Sequence, residues 1–232
     1  MISTSNLTKR YGSTTVVSDV TFRAEPGRVT GFLGSNGAGK STTMRMICGM
    51  TAPTSGSALV LGQNFRELKN PGRQIGVLLD AGAQHMGRTG REVLALSALQ
   101  MGVPRRRIQE VLDIVQLDTK AASKRVGAYS LGMRQRLGLA NALLGSPQVL
   151  MLDEPANGLD PSGIRWMRTL LRQFADDGGT VLLSSHLLHE VELIADDLVV
   201  IEGGRIVARG AVQDFTANGS HSLEEAFFSL TA

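Results

Sequence analysis

Five short runs, Val29 to Leu33, Ile75 to Leu79, Val149 to Leu152, Thr180 to Leu183 and Leu198 to Ile201, are apolar with almost no polar interruption. Unbroken runs of this length suit strands covered on both faces, so they predict a mostly parallel core sheet. The opening stretch, Ile2 to Leu33, alternates as strands do, with turns at Tyr11 to Ser13 and at Pro26-Gly27, and Ala58 to Leu61 predicts another short strand. From about Ala81 to Pro147 the period becomes helical. Val93, Leu94, Leu96 and Leu99 suit one amphipathic helix, and Ile108, Val111, Leu112 and Val115 suit another. A helix through Ala142 opens at Ser130, and the chain ends with a Gly203-Gly204 hairpin turn, a strand through Ala208 and a helix over Leu223 to Leu230. Strands interleaved with helices make this an α/β chain.

The first apolar run leads into Gly34-Ser35-Asn36-Gly37-Ala38-Gly39-Lys40-Ser41, which satisfies the G-x-x-x-x-G-K-[ST] pattern at every fixed position. Glycines let backbone N–H groups turn inward around phosphates, Lys40 reaches the outer phosphates, and the Ser41 hydroxyl suits Mg²⁺. From Thr42 to residue 50 the chain reads as a helix whose positive end faces the anion. The segment predicts a nucleoside triphosphate site of the P-loop kind.

The third run ends in Asp153-Glu154-Pro155, which puts two carboxylates at the ligand-binding edge of a parallel sheet. Asp153 is expected to hold the Mg²⁺ through water, and Glu154 to polarise an attacking water. Alone, the pair would read equally as surface acids before a proline turn. Beside the glycine loop it reads as the second half of a phosphoryl-transfer site.

Shortly before that strand, Tyr129-Ser130-Leu131-Gly132-Met133 resembles the signature of ATP-binding cassette (ABC) ATPases, usually Leu-Ser-Gly-Gly-Gln. The Ser and the second Gly are kept, whereas Tyr129, Leu131 and Met133 depart in the manner of the drug- and antibiotic-export branch, and Arg134-Gln135-Arg136-Leu137 continues the pattern. Ser130 taken alone is a helix cap; with Gly132 it also offers a hydroxyl, N–H groups and a dipole to a γ-phosphate. The resemblance runs the length of the chain. It implies that Tyr11 stacks on adenine, that the Asn157 to Pro161 loop reaches a second subunit through Asp160, which can also cap the helix begun by Pro161, and that His186 contacts the γ-phosphate. His189 is a bystander one turn on. After Ile75 to Leu79 the family commonly has a Gln, but here Asp80 follows, so Asp80 is the expected metal-side residue and Gln84 its alternative.

The fold so implied is a P-loop NTPase core with a mostly parallel sheet, an N-terminal antiparallel β layer and an inserted helical subdomain. It forms a single domain over 1–232, with the nucleotide-binding core at 1–80 and 148–232 and the helices at 81–147. The implied function is the ATP-hydrolysing subunit of an ABC transporter that powers export of a drug, antibiotic or other amphiphile. Its partners would be a second ATPase subunit, identical or paralogous, and integral membrane subunits. A soluble ABC ATPase acting on ribosomes or DNA is one alternative, disfavoured by the single cassette and the lack of sustained heptads. A nucleotide sensor that does not hydrolyse is another, disfavoured by intact Lys40, Glu154 and His186.

Composition narrows little further. At 232 residues and 42% apolar content there is enough chain for one large core. A net charge of +3 does not call for nucleic acid, and Arg105-Arg106-Arg107 reads as a solvated face. With Cys48 the only cysteine, no internal disulfide can form and a reducing compartment fits. No apolar stretch reaches the roughly eighteen residues of a membrane span, and the N-terminus lacks a signal peptide. The expected place is therefore the cytoplasm, peripheral to the inner face of the cell membrane.

Overall fold

The computed structural model describes residues 1–216 and 222–231. Its apolar runs form one sheet from β4 (Arg28–Leu33), β6 (Ile75–Leu78), β7 (Val149–Asp153), β8 (Thr180–Ser184), β9 (Asp197–Glu202) and β10 (Arg205–Ala211). The order is β10-β9-β4-β8-β7-β6, parallel except for the β9–β10 hairpin. Side chains alternate across this sheet, and both faces are apolar. Leu150, Leu152, Val181, Leu183, Leu198 and Val200 belong to one buried cluster, and their neighbours Val149, Met151, Leu182, Val199 and Ile201 to another. Each such side chain removed from water contributes about 1.5–3 kcal/mol, so the uninterrupted runs have no stable place except between two layers.

One layer is a second sheet, in which β1 (Ile2–Tyr11) pairs antiparallel with β2 (Thr14–Val20), β3 (Arg23–Ala24) and β5 (Ser55–Val60). Together with α1 (Lys40–Ile47) it covers the Val149 face, and Phe22 stacks on Phe32 with ring centroids 5.3 Å apart. The sequence places β5 at Ala58 to Leu61, but the strand starts at Ser55 and ends at Val60, because Leu61 takes a left-handed φ of 52° as the chain turns. Ser55 and Ser57 are exposed and polar, and Gly56 between them has no side chain, so this stretch carries no apolar signal. α1 stops at Ile47, short of residue 50, where Gly49 turns out of the helix at φ 68°.

The other layer holds α2 (Gly90–Met101), α3 (Arg106–Ile114), α4 (Thr119–Ala122) and α5 (Leu131–Leu143), all between β6 and β7 in the chain, with α6 (Pro161–Asp176) beyond β7. α7 (Leu188–Glu192), α8 (Val212–Phe215) and α9 (Leu223–Thr231) follow. α4, α7 and α8 are too short to impose a period on the sequence. α3 buries Ile108, Val111 and Leu112, with Val115 at its end, as its pattern predicts. α2 differs: Leu94 and Ala98 face inward, whereas Leu96 is exposed and Leu99 is 80% exposed. Cys48 is buried, and burial pushes its thiol pKa up.

Tyr129, a departure from the usual signature, is a core residue here. Its hydroxyl donates to the Ala121 carbonyl at 2.8 Å, and burial raises the pKa of its phenol. A Cβ at Gly90 would lie 2.3 Å from that hydroxyl, so the large Tyr129 and the missing side chain at Gly90 fit as a pair. Arg107 is more than solvated: it pairs with Glu110 at 3.0 Å and donates to the Leu143 carbonyl at 3.2 Å.

Candidate active site

The phosphate loop spans the short gap between β4 and α1. Gly34 passes so close to β9 that a Cβ would sit 2.2 Å from the Ile201 carbonyl oxygen, and Gly39 holds φ 107° at the start of α1. Ser35 is pinned to Glu202 at the end of β9, its hydroxyl donating to Oε1 at 2.8 Å and its N–H to Oε2 at 3.3 Å. Gly204 N–H reaches the Ala38 carbonyl at 3.0 Å, so the β9–β10 hairpin fixes the loop from behind. Lys40 is only 8% exposed, and its ammonium donates to the Gly34 and Ser35 carbonyls at 2.7 and 3.0 Å. An ammonium has three donors, so a phosphate oxygen can be met with little movement. The first amides of α1 have no helical carbonyl before them, and no acid sits in its first turn. A cavity of about 290 Å³ opens here, lined by Asn36, Gly37, Gly39 to Thr42, Asp153 and Glu154.

The carboxylates stand at the end of β7. Asp153 accepts the Ser41 hydroxyl at 2.8 Å through Oδ2, and the Ser184 hydroxyl, from the end of the neighbouring β8, through Oδ1. Glu154 lies just past the strand at φ 50°, a left-handed conformation that is costly for a residue with a side chain. Its N–H donates to the Ser184 carbonyl and hydroxyl at 3.1 and 3.2 Å. Its carboxylate lies 2.6 Å from His186 Nδ1 and accepts the His186 N–H at 3.3 Å, which orients the imidazole ring.

The remaining expected residues lie outside that cavity. Ser130 caps α5 by accepting the Met133 N–H at 3.2 Å. A Cβ on Gly132 would come within 2.6 Å of the Gly158 carbonyl oxygen, so the start of α5 rests on the Asn157 to Asp160 loop. Asp160 caps α6, accepting Gly163 N–H at 2.9 Å and the Ser162 hydroxyl at 2.7 Å; those bonds hold its pKa below the usual carboxylate value. Tyr11, at the end of β1, is 53% exposed, and the Lys9 ammonium sits 4.8 Å from its ring centre. Asp80 is exposed just beyond β6 and accepts the Gly82 N–H at 2.6 Å, whereas Gln84 turns toward α5 and donates to the Arg134 carbonyl at 3.3 Å. His189 is exposed.

Ser41 and Asp153 together present hard oxygen donors, one neutral and one anionic, beside the loop. Among the described residues no group of three or more His, Cys, Asp or Glu could hold a metal. This donor set fits Mg²⁺, which takes one or two protein ligands and completes its shell with phosphate oxygens and water. Glu202, and Gln135, whose Nε2 donates to the Glu154 carbonyl at 3.0 Å, contribute to the site without being singled out by its sequence motifs. Glu202 ends an apolar run at the ligand edge of the sheet, as Asp153 does, and that position was a usable signal. Among the described residues no helix is long and apolar enough to cross a membrane.

Comparison with known proteins agrees with this geometry. Residues 17–157 match the family model described as ABC transporter. A bacitracin transport ATP-binding protein of Bacillus licheniformis is 43% identical over 210 residues, covering 89% of this chain and 68% of that protein. A lantibiotic transport ATP-binding protein of Streptococcus pyogenes is 36% identical over 98% of this chain and 96% of its own length. A solved structure titled as the ATP-binding subunit of an ABC transporter superposes over 100% of both chains with a TM-score of 0.89 at 28% identity. With the loop and the carboxylate pair at one edge of a mostly parallel sheet and the signature opening helix α5 in the layer beside it, this chain belongs to the ABC transporter family as one of its ATP-binding proteins.

Proposed function

We propose that this chain is the Mg²⁺-dependent ATP-hydrolysing subunit of an exporter for an antibiotic, drug or similar amphiphile, and that it acts on separate membrane subunits at the cytoplasmic face. The observation that carries the reading is the Glu154 carboxylate, held 2.6 Å from His186 Nδ1 beside the Ser41–Asp153 pair and the Lys40 loop. Phosphoryl transfer needs positioning and charge neutralisation more than covalent help from the protein, and these residues supply both. The relatives named for bacitracin and lantibiotic transport support the substrate class.

In this reading the loop amides and Lys40 bind the phosphates of ATP, and Tyr11 stacks on the base. Ser41 and Asp153 would hold Mg²⁺, with Asp80 as the further metal-side residue, and the bound ion would supply neutralisation of charge on the outer phosphates. Glu154 orients the attacking water and accepts its proton, while His186 steadies Glu154 and faces the γ-phosphate. Ser130 and Gly132 lie outside their own chain's phosphate cavity, which supports closure of the site by a second copy, with Asp160 at the junction. Residues 81–147 then act as the helical subdomain between the core segments 1–80 and 148–232.

The test is purification of tagged protein from detergent-solubilised native membranes, followed by identification of what accompanies it. A stoichiometric multi-span protein is expected. Ribosomal or nucleic-acid species without any membrane protein would overturn the exporter reading.

A further inference from the structure

Gln135 occupies an inward position on α5, among residues that are otherwise apolar, and is 4% exposed. Its Nε2 donates to the backbone carbonyl of Glu154 at 3.0 Å, while its Oε1 is buried with no hydrogen-bond partner among the described residues. A half-satisfied amide is a poor choice for packing, since a leucine of similar volume would leave nothing unpaired. The one side-chain hydrogen bond it makes among the described residues falls on the strained residue of the site, Glu154 at φ 50°. Ser184 holds the N–H of Glu154, at 3.1 and 3.2 Å, and Gln135 holds its C=O from α5 at 3.0 Å, together with the Asn157 N–H at 3.2 Å. The peptide groups on either side of Glu154 are thus clamped by different elements, and the direction of its carboxylate follows.

α5 is also the helix that begins at the Ser130 cap, and it touches two other loops at the sheet edge. Gly132 packs on the Gly158 carbonyl, and the Arg134 carbonyl accepts Gln84 Nε2 at 3.3 Å. Any shift of α5 on nucleotide closure therefore reaches Glu154 directly through Gln135. We infer that Gln135 is a positioning residue that couples the signature helix to Glu154 by holding its backbone in the left-handed conformation. The inference rests on the reading of Glu154 as the group that activates water.

The experiment measures ATP turnover, affinity for a non-hydrolysable ATP analogue, and melting temperature of the full chain for Gln135→Leu, Gln135→Glu and Glu154→Gln. Gln135→Leu leaves the Glu154 carbonyl its bond from the Asn157 N–H, at 3.2 Å, and removes the orphaned oxygen. It is expected to fold at the wild-type melting temperature or above and to bind the analogue normally. Its kcat should nevertheless fall roughly 10- to 100-fold with KM little changed, the scale of a displaced catalytic group. Gln135→Glu can donate to that carbonyl only when protonated, so its turnover relative to wild type should rise toward acid pH, whereas the Gln135→Leu ratio stays flat. Wild-type kcat in Gln135→Leu alongside an inactive Glu154→Gln would overturn the role of Gln135 and leave Glu154 standing. Wild-type turnover in Glu154→Gln would overturn the reading beneath it. Parallel loss of melting temperature and analogue affinity in both Gln135 variants, with no pH-dependent ratio, would make Gln135 a packing residue and overturn the inference.

Discussion

The phosphate loop hangs between consecutive elements, and its lysine bonds carbonyls five and six residues away. The carboxylate corner facing it draws together groups far apart in the chain. The Ser41–Asp153 bond spans 112 residues, Ser184–Asp153 spans 31, His186–Glu154 spans 32 and Gln135–Glu154 spans 19. The loop is thus a local motif braced from behind, while the corner exists only if β7, β8 and α5 meet in register. A local motif can lose a functional group and keep its shape. A corner built from long-range bonds transmits a single loss to both geometry and stability.

The sharpest test of that contrast is Lys40→Ala. Because, among the described residues, Lys40 Nζ bonds only loop carbonyls, ATP turnover should fall by at least about 10²–10³, the scale for losing one charge-stabilising donor, while the denaturant midpoint barely moves. A large drop in midpoint would mean that the Lys40 bonds themselves hold the loop's shape, and the contrast would fail.

Next comes Ser184→Ala, in which one hydroxyl is lost from Asp153 and from the Glu154 N–H together. Ser184 is fully buried, so the expected cost is about 1–3 kcal/mol of stability, with turnover down about tenfold. If only turnover changes, the corner is as modular as the loop and the comparison breaks.

The smallest effect belongs to Asp160, outside both regions. Its carboxyl is held below the ordinary 3.8 by the Ser162 hydroxyl and the Gly163 N–H. A group whose folded-state pKa is depressed stabilises the fold above its unfolded value and loses that contribution as pH falls through the lowered one. Melting temperatures taken down through the carboxylate range should therefore converge for wild type and Asp160→Asn. They should differ only slightly near neutrality, since the cap is exposed.

The fold was largely legible because a strand buried on both faces must be apolar throughout, and Val149 to Leu152 can be little else. The phosphate loop was legible for a related reason: its chemistry is contiguous, so spacing alone reports it. Polar stretches were less readable. β5 begins in exposed serines, and α4, α7 and α8 are too short for a period to register. Leu96 and Leu99 misled because a helical pattern fixes which residues share a stripe and not which stripe a neighbouring helix covers. The Gly90–Tyr129 fit pairs residues on different elements, and no single-chain pattern announces it.

Asp80 marks the boundary of such reading. Its position one residue beyond Leu79 is plain in the sequence, yet the choice of partner was made in three dimensions, where Asp80 closes its own turn on Gly82 and Gln84 goes to α5. By itself the sequence determined what depends on neighbours in the chain: the apolar strands, the helix caps, the glycine loop with Lys40, and the acids that end β7. Only the tertiary structure decided what depends on distance across the chain: the brace of Glu202 on Ser35, the bridge of Ser184 to Asp153, and the grip of Gln135 on Glu154. The physical reason is that hydrogen bonds are directional and short, so which polar groups meet is settled by strand register and helix placement, whereas burial of apolar surface asks only that the right side chains leave water.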